Sequence, residues 1–409
     1  MHNYLLQIDS KARCISVFNS LTGFYVRSGE IRFAGTDEDF KLAMNKIVEL
    51  VETKLDTEFI KFFMQVASGQ LDKNKKLAPL VAWLKGGDDP FRASYPQLID
   101  VGIMGSCQHG RNGLCRLAGV ECYQDGLHTH KPDMTLDDFK RIVDESKGKV
   151  YQIALGGRGD PNKHKQFREI CEYCRANDIA PNYTTSGLAL TDEEIEITKT
   201  FCGAVAISDY RQKHTYEAID RFLQAGCTTN IHYVLGRNSI DRAIEYLEND
   251  SLPVGVNAII FLLHKPVGLG TEENVLTMDD PRLEKFFALV EKEHPFQIGF
   301  DSCTIPGIIN FTTQISKESI DTCEGGRWSM YISAQMECLP CSFDNVDKRW
   351  SYDIAGGGCI ADAWNSSQFD DFRSHFTRSC PNCSDRKHCM GGCPIRNQIV
   401  LCNRKERQT

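Results

Sequence analysis

Residues 150–187, VYQIALGGRGDPNKHKQFREICEYCRANDIAPNYTTSG, contain the pattern that decides the fold. An apolar strand-like run is followed by a glycine-rich loop, an amphipathic helical stretch and a second strand-like run. Two strands joined through a helix run parallel, because the crossover returns the chain to the same end of the sheet. This segment therefore predicts one βαβ unit.

The same alternation extends across residues 98–302. The strand-like runs are LIDVGIM, VYQIALGG, IAPNYTT, GAVAIS, TTNIHYVLG, VNAIIFLLH and FQIGFDS. The helical stretches between them begin at plausible N-caps, which are Thr135, Thr191, and Asn238 or Ser239. Six or more such units favour a barrel over a doubly wound sheet. We expect an α/β fold with a partial (β/α)6 TIM-like barrel, whose functional residues follow the carboxyl ends of the strands.

Two further segments flank this barrel and give three predicted domains. Residues 1–95 contain short strand-like runs and two apolar helical stretches, within 37–55 and 59–68, which predict a small α+β domain. A structural role and a peptide-docking role are both open for it. The barrel occupies residues 96–302. From 303 to 409 the apolar periodicity fades and cysteines dominate, which predicts a domain held together by metal or clusters.

Charge and hydropathy exclude several classes of partner. The formal net charge is −8, and no basic run indicates binding to nucleic acid or to an anionic membrane. The N-terminal MHNYLLQIDSKAR lacks the features of a secretion signal, and no apolar run is long enough to span a bilayer. We therefore expect a cytoplasmic protein with no nucleic-acid and no membrane partner.

The 18 cysteines are unevenly distributed, and nine of them follow residue 320. In a reducing compartment, clustered cysteines are more often ligands than disulfides. Cys107, Cys115 and Cys122 lie in a glycine-rich loop directly after the first barrel strand. Three thiolates on a [4Fe–4S] cube leave one iron free to bind a substrate or cofactor. The alternative is a zinc site completed by a nearby histidine, namely His109, His128 or His130.

This cysteine triad, with an aromatic residue after its third member and LGGRGDP after the next strand, resembles the radical S-adenosylmethionine (radical SAM) superfamily. Two departures are the spacing of seven and six residues between the cysteines, where three and two are usual, and an Arg-Gly insertion with Asp for Glu in the glycine motif. The resemblance implies a SAM-binding cluster on the triad. It also implies SAM contacts from the glycine motif and from the ends of the next two strands, which are Gly156, Gly157, Asp160, Pro161, Thr185, Ser186, Ser208 and Asp209. Arg211 is a further candidate, which would bind the SAM carboxylate.

The run CPNCSDRKHCMGGC, residues 380–393, with a trailing cysteine at 402, resembles the SPASM extension of radical SAM enzymes. That extension binds two auxiliary [4Fe–4S] clusters, although Met336 stands where its pattern has glycine. The resemblance assigns Cys380, Cys383, Cys389 and Cys402 to auxiliary cluster II, and Cys323, Cys341 and Cys393 to auxiliary cluster I. Cys303 is the first choice for the fourth ligand of cluster I, with Cys338, Cys359 or an open iron as alternatives.

The remaining cysteines and one histidine are interpreted as structural. We expect Cys171 and Cys174 to be packing residues of a barrel helix, and Cys14, Cys202 and Cys227 to lie in the core. His164 is expected on the surface of a helix.

The family resemblance implies three [4Fe–4S] clusters, SAM, a peptide or protein substrate, and a reductant such as flavodoxin or ferredoxin. The expected function is oxidative modification of a peptide by a 5′-deoxyadenosyl radical, forming a thioether or carbon–carbon crosslink in a ribosomally synthesised peptide. The alternatives are side-chain oxidation of the sulfatase-maturase type, peptide epimerisation, and a non-catalytic zinc- or cluster-binding scaffold. No acid or base is assigned from the sequence.

Overall fold

A computed structural model describes residues 91–109, 113–124, 130–315, 320 and 322–402, together with three N-terminal strands. Those strands are β1 (Tyr4–Asp9), β2 (Cys14–Asn19) and β3 (Tyr25–Arg27), which pair antiparallel in that order. The two helices expected within 37–55 and 59–68 lie outside the described residues.

Seven parallel strands form the central sheet. They are β4 (Leu98–Met104), β5 (Gln152–Gly157), β6 (Ala180–Thr185), β7 (Val205–Ser208), β8 (Thr229–Leu235), β9 (Ala258–Leu263) and β10 (Gln297–Phe300). Each strand pairs with the next in sequence, from β4 to β10. The described sheet does not close, so the expected α/β class and partial barrel are confirmed.

Helices follow the strands, and all but the short first one, which lies in the loop after β4, cover the outer face of the sheet. They are α1 (Leu114–Leu117), α2 (Leu136–Ser146), α3 (Phe167–Ala176), α4 (Asp192–Phe201), α5 (Lys213–Gln224), α6 (Ile240–Asn249), α7 (Arg282–Val290) and α8 (Ile305–Phe311). The predicted caps are present at Thr135, whose hydroxyl accepts from the Asp138 N–H, and at Thr191, which forms a capping box with Glu194. Within the described part of the chain, no helix has the length and apolarity that crossing a membrane requires.

Alternation along the strands separates the core from the barrel interior. In β8, Ile231 and Leu235 are buried in the apolar core, whereas His232 and Val234 line a central cavity. Successive side chains of a strand point to opposite faces, so one face packs against the helices and the other remains available for function.

The C-terminal segment continues the same sheet. β11 (Ser329–Ile332) pairs parallel with β4, and β12 (Glu337–Leu339) and β13 (Tyr352–Asp353) follow antiparallel, which gives ten strands in all. Three helices complete the segment: α9 (Ile360–Trp364), α10 (Ser367–Arg378) and α11 (Arg386–Cys389). The sheet therefore crosses the expected boundary between residues 302 and 303. Met336 adopts a left-handed φ of 62°, which is the conformation that favours the glycine of the SPASM pattern.

Candidate active site

A cavity of about 610 Å³ lies at the carboxyl ends of the barrel strands. Its wall includes the three cysteines of the triad together with residues at or just beyond the ends of β5, β7 and β8. In a parallel α/β barrel these strand ends carry the functional residues. The triad and the glycine motif, which are more than thirty residues apart in sequence, therefore face the same space.

The loop that carries the triad is tied to the opposite wall of the cavity. Cys115 lies on the short helix α1, and its Sγ is 3.4 Å from the Tyr210 hydroxyl. The Gln124 N–H donates to the Cys122 Sγ at 3.4 Å, and the Leu269 N–H donates to the Cys122 carbonyl at 2.8 Å. Helix α1 takes up part of the wide spacing between the cysteines, and residues 110–112 lie outside the described chain.

Glycines in the LGGRGDP segment allow close backbone contact with β4 and with the triad loop that follows it. Gly157 has φ 98°, and a Cβ there would lie 2.7 Å from the Gly102 Cα. Gly159 has φ 74°, and its Cβ would lie 3.3 Å from the Cys107 Cα. A Cβ on Gly156, in contrast, would meet no heavy atom within 4 Å. Gly157 and Gly159 are therefore required by packing, whereas Gly156 leaves space on the cavity wall.

Asp160 joins three loops behind this wall. Its Oδ2 accepts from His109 Nε2 at 2.9 Å and from Ser186 Oγ at 2.6 Å, and its Oδ1 accepts from the Ser186 N–H at 2.9 Å. All three residues are buried. Burial alone would raise the pKa of Asp160, but the His109 and Ser186 interactions outweigh it and hold the pKa below its usual value. The carboxylate thus fixes the triad loop against the ends of β5 and β6.

Replacing Asp160 with alanine is expected to lower the free energy of unfolding by about 3–5 kcal/mol at pH 7, because it leaves buried donors without their acceptor. Since the folded pKa is lowered, this stabilisation is present above the unfolded pKa and is lost as pH falls through the folded pKa. Anaerobic chemical denaturation at neutral and acid pH measures both effects. Ser186→Ala is the milder comparison and should cost about 1–2 kcal/mol; equal stability of Asp160→Ala and the parent protein at pH 7 would contradict this role.

The eight predicted SAM contacts divide into two groups. Five of them line the cavity: Gly156, Gly157, Asp160, Ser208 and Asp209. Pro161, Thr185 and Ser186 are buried behind its wall, where the Thr185 hydroxyl accepts from the Gly187 N–H and Ser186 bonds to Asp160. Thr184 faces the cavity instead of Thr185, because neighbouring residues of β6 point to opposite faces. Arg211 also lines the cavity and donates to the Ala118 carbonyl at 3.0 Å.

A second set of cysteines meets next to this cavity, and we call it the bridging set. It consists of Cys303, Cys323, Cys341 and Cys393. The thiols of Cys303 and Cys393 are hydrogen-bonded, which together with burial raises the pKa of Cys303. A Cβ on Gly325 would lie 3.6 Å from both the Cys323 Sγ and the Cys341 Cβ. Burial raises the pKa of both Cys323 and Cys341, and the charge of Cys303 acts on both as well, so the two pairs lie near each other.

The other candidates for the fourth position lie elsewhere. Cys338 is fully buried in the core, and burial raises its pKa, with smaller contributions from Glu145, Arg141, Asp353 and Cys359. Cys359 is the N-cap of α9 and interacts with Asp362. Of these three cysteines, Cys303 is the one whose side chain interacts with Cys393, and its place in cluster I remains a prediction.

The run at 380–393 folds back on itself. The Cys383 N–H donates to the Cys380 carbonyl at 3.1 Å, and Cys389 ends α11. Gly391 and Gly392 have positive φ, and a Cβ on Gly391 would lie 2.3 Å from the Ser379 Cβ, so the chain returns to the start of the run. Cys402 lies at the end of the described residues.

All-thiol donor sets suit iron–sulfur clusters, in which each cysteine binds a different iron. Within the described residues, no group of three or more His, Cys, Asp and Glu side chains is arranged for a single metal ion. For the zinc alternative, His109 is bonded to Asp160, His130 is exposed, and His128 lies outside the described chain.

The cavity residues that were not predicted from the sequence include Asp100, His232 and Phe343. Asp100 on β4 has its pKa raised to about 7 by burial and by the charge of Glu324. His232 on β8 has its pKa lowered to about 4 by burial. Tyr123 and Phe343 form an aromatic pair with ring centroids 4.6 Å apart. The signal for Asp100 was present, since it is the one polar residue of an otherwise apolar strand; His232 shares its strand with Thr229 and Asn230 and gave no such signal.

The remaining cysteines have structural roles. Cys171 and Cys174 are completely buried in the core, as predicted, and Cys202 and Cys227 pack against it. Burial raises the pKa of the Cys171, Cys174 and Cys227 thiols, which makes them poor nucleophiles. The expectation for His164 is wrong: it is buried, with Nε2 3.0 Å from the Met134 carbonyl and Nδ1 accepting from the Gln166 N–H. The side chain of Cys14 lies outside the described residues.

Comparison with characterised proteins identifies relatives that match about two thirds of this chain. Mycofactocin maturase MftC from Mycolicibacterium smegmatis is 22% identical over 301 residues, which cover 68% of this chain and 75% of that protein. MftC from Mycobacterium tuberculosis H37Rv is 24% identical over 300 residues with the same coverage. This chain is a homologue of MftC. The resemblance to radical SAM enzymes with a SPASM extension is thereby confirmed, although no protein-family profile matches the chain.

Solved structures share the fold. SuiB from Streptococcus suis, bound to the precursor peptide SuiA, superposes with a TM-score of 0.62 at 14% identity, covering 100% of this chain and 99% of SuiB. The enzyme anSMEcpe with bound AdoMet superposes with a TM-score of 0.53 at 12% identity, covering 76% of this chain and 88% of that one. At these identities the likeness shows a common partial-barrel fold.

Proposed function

We propose that this chain is a radical SAM enzyme that oxidatively modifies a ribosomally synthesised peptide, forming a thioether or carbon–carbon crosslink. One observation carries the proposal: Cys107, Cys115 and Cys122 face a single cavity together with the glycine segment that follows β5. The homologue MftC is a maturase, and SuiB has been solved with a precursor peptide and with S-adenosylmethionine. These relatives support a peptide as the substrate here.

The residues of the triad would hold one [4Fe–4S] cluster with an iron left open for SAM. When bound, the reduced cluster and SAM supply a 5′-deoxyadenosyl radical. Gly156 leaves room for SAM against β5, and Ser208 and Asp209 offer polar atoms from the end of β7. Asp160 holds the loops in place around the cavity, and such positioning is part of the protein's contribution in cofactor-driven chemistry.

The bridging set and the run at 380–402 would hold two auxiliary clusters, for a total of three. A peptide that is oxidised must lose an electron, and the bridging set lies beside the cavity where that electron arises. A flavodoxin or ferredoxin is the proposed reductant of the SAM cluster. Four points remain predictions. They are the cytoplasmic location, the lack of nucleic-acid and membrane partners, the domain boundaries at residues 95 and 302, and peptide docking by the N-terminal domain.

The choice of Cys303 as the fourth ligand has its own test. Cys303→Ala is expected to change the electron paramagnetic resonance spectrum of cluster I, because one iron loses its thiolate and the cluster is left on three cysteines. Cys359→Ser is the matched control, since serine is a preferred N-cap and should keep both α9 and the spectrum of the parent protein. An unchanged spectrum in Cys303→Ala, or a changed spectrum in Cys359→Ser, would contradict the assignment.

Product analysis separates the proposed reaction from its alternatives. The protein is incubated anaerobically with SAM, dithionite and the peptide encoded by a small open reading frame next to its own. A crosslink or an oxidised side chain removes two hydrogen atoms from the peptide, and tandem mass spectrometry locates the change. Epimerisation leaves the mass unchanged in water and introduces deuterium in D2O. SAM cleavage that yields only epimerised peptide would overturn the crosslinking proposal.

A further inference from the structure

Lys265 lies on the wall between the cavity and the bridging set. It follows β9 and lines the cavity, and its side chain is only 2% exposed. Nζ donates to the Leu263 carbonyl at 2.7 Å, forms an ion pair with Asp301, and lies 4.2 Å from the centre of the Phe343 ring. Asp301 and Phe343 are each two residues from a cysteine of the bridging set.

Lys265 lies close to three cysteines of this set, because it interacts electrostatically with Cys303, Cys341 and Cys393. A buried lysine that is paired with a carboxylate keeps its charge, and Asp301 supplies that carboxylate. The bridging set therefore has one buried cation and one buried anion beside it, and each can be removed separately.

We propose that the Lys265–Asp301 pair sets the reduction potential of the cluster held by the bridging set, with Lys265 raising it, and thereby favours electron transfer out of the cavity. This inference rests on the proposed function, because it needs a cluster at Cys303, Cys323, Cys341 and Cys393. A cluster gains negative charge on reduction, and net charge and nearby donors tune its potential. A buried ammonium acts at short range in a medium of low dielectric, so its effect is not screened as it would be in water. Lys265 thus acts on the cluster through its charge and does not bind it.

Two substitutions should shift this potential in opposite directions. Lys265→Met keeps the apolar stem over Phe343 but removes the cation, so the potential should become more negative. Asp301→Asn keeps the shape but removes the anion, so the potential should become less negative. Lys265→Arg keeps the cation and should stay close to the parent value. A defect in folding has no reason to produce shifts of opposite sign.

The measurement is a redox titration in which electron paramagnetic resonance monitors the reduction of each cluster. It uses full-length protein with Cys107, Cys115 and Cys122 replaced by alanine, so that only auxiliary clusters contribute and catalytic activity is absent. The cluster on Cys380, Cys383, Cys389 and Cys402 serves as an internal reference whose potential should not move. Shifts of the same sign in Lys265→Met and Asp301→Asn, or no shift in either, would overturn the inference. Absence of a cluster from the bridging set would also overturn it, while SAM cleavage by the parent protein would still support the proposed function.

Discussion

Replacing Cys107, Cys115 and Cys122 together with alanine should abolish SAM cleavage and lower the iron content from about twelve to about eight atoms per chain, because one of three [4Fe–4S] clusters is lost. The triad shares no cysteine with the bridging set or with the run at 380–402, so the auxiliary clusters should remain. Iron analysis and detection of 5′-deoxyadenosine in the anaerobic protein measure the two effects separately.

Cys227→Ser is the matched control for this experiment. Cys227 is partly buried and packs at the edge of the core, outside both cysteine sets, so iron and SAM cleavage should stay at the parent level. If the triad variant kept all its iron, or still produced 5′-deoxyadenosine, the assignment of the SAM cluster to these three cysteines would be wrong.

A valine at Gly156 should block SAM while leaving the fold intact. The added Cβ would meet no protein atom within 4 Å, and the backbone of Gly156 does not need glycine, so the free energy of unfolding should change by less than about 1 kcal/mol. The side chain would occupy the space next to β5 that we assign to SAM. We expect SAM cleavage to fall by about 100-fold or more, as for other small displacements at a reacting centre.

Gly356→Val tests whether valine itself causes the loss. A Cβ on Gly356 also meets no atom within 4 Å, and this glycine does not line the cavity. SAM binding is measured by equilibrium dialysis. Formation of 5′-deoxyadenosine measures SAM cleavage in the same variants, and thermal unfolding measures their stability. Full SAM binding in Gly156→Val would place SAM elsewhere in the barrel. A large loss of stability in that variant would show that Gly156 is a packing residue.

The fold was predictable because the same strand-and-helix pattern is repeated along the sequence. Seven apolar runs separated by amphipathic helices leave few arrangements other than a parallel sheet covered by helices. Caps such as Thr191 and Glu194 were predictable because their chemistry is local. The continuation of the sheet through β11 was not, since Ser329–Ile332 is a short run whose partner β4 lies more than 200 residues earlier.

The site was predictable where residue type alone determines chemistry. The large number of cysteines indicated clusters. Which cysteines lie together depends on tertiary contacts, and these bring Cys303 to Cys393 but not Cys338. Within strands, Thr185 was chosen where alternation places Thr184 on the cavity. Lys265 carried no sequence signal, because a lysine after a strand is usually solvated and its burial follows from Asp301 and Phe343.

The most direct test of the central claim is the product formed from SAM. Full-length protein, purified anaerobically with its clusters, is mixed with SAM and dithionite, and 5′-deoxyadenosine and methionine are quantified by liquid chromatography and mass spectrometry. We predict that both products form in equal amounts and that neither forms in the triple alanine variant at Cys107, Cys115 and Cys122. A cluster-loaded protein that leaves SAM intact would contradict the account.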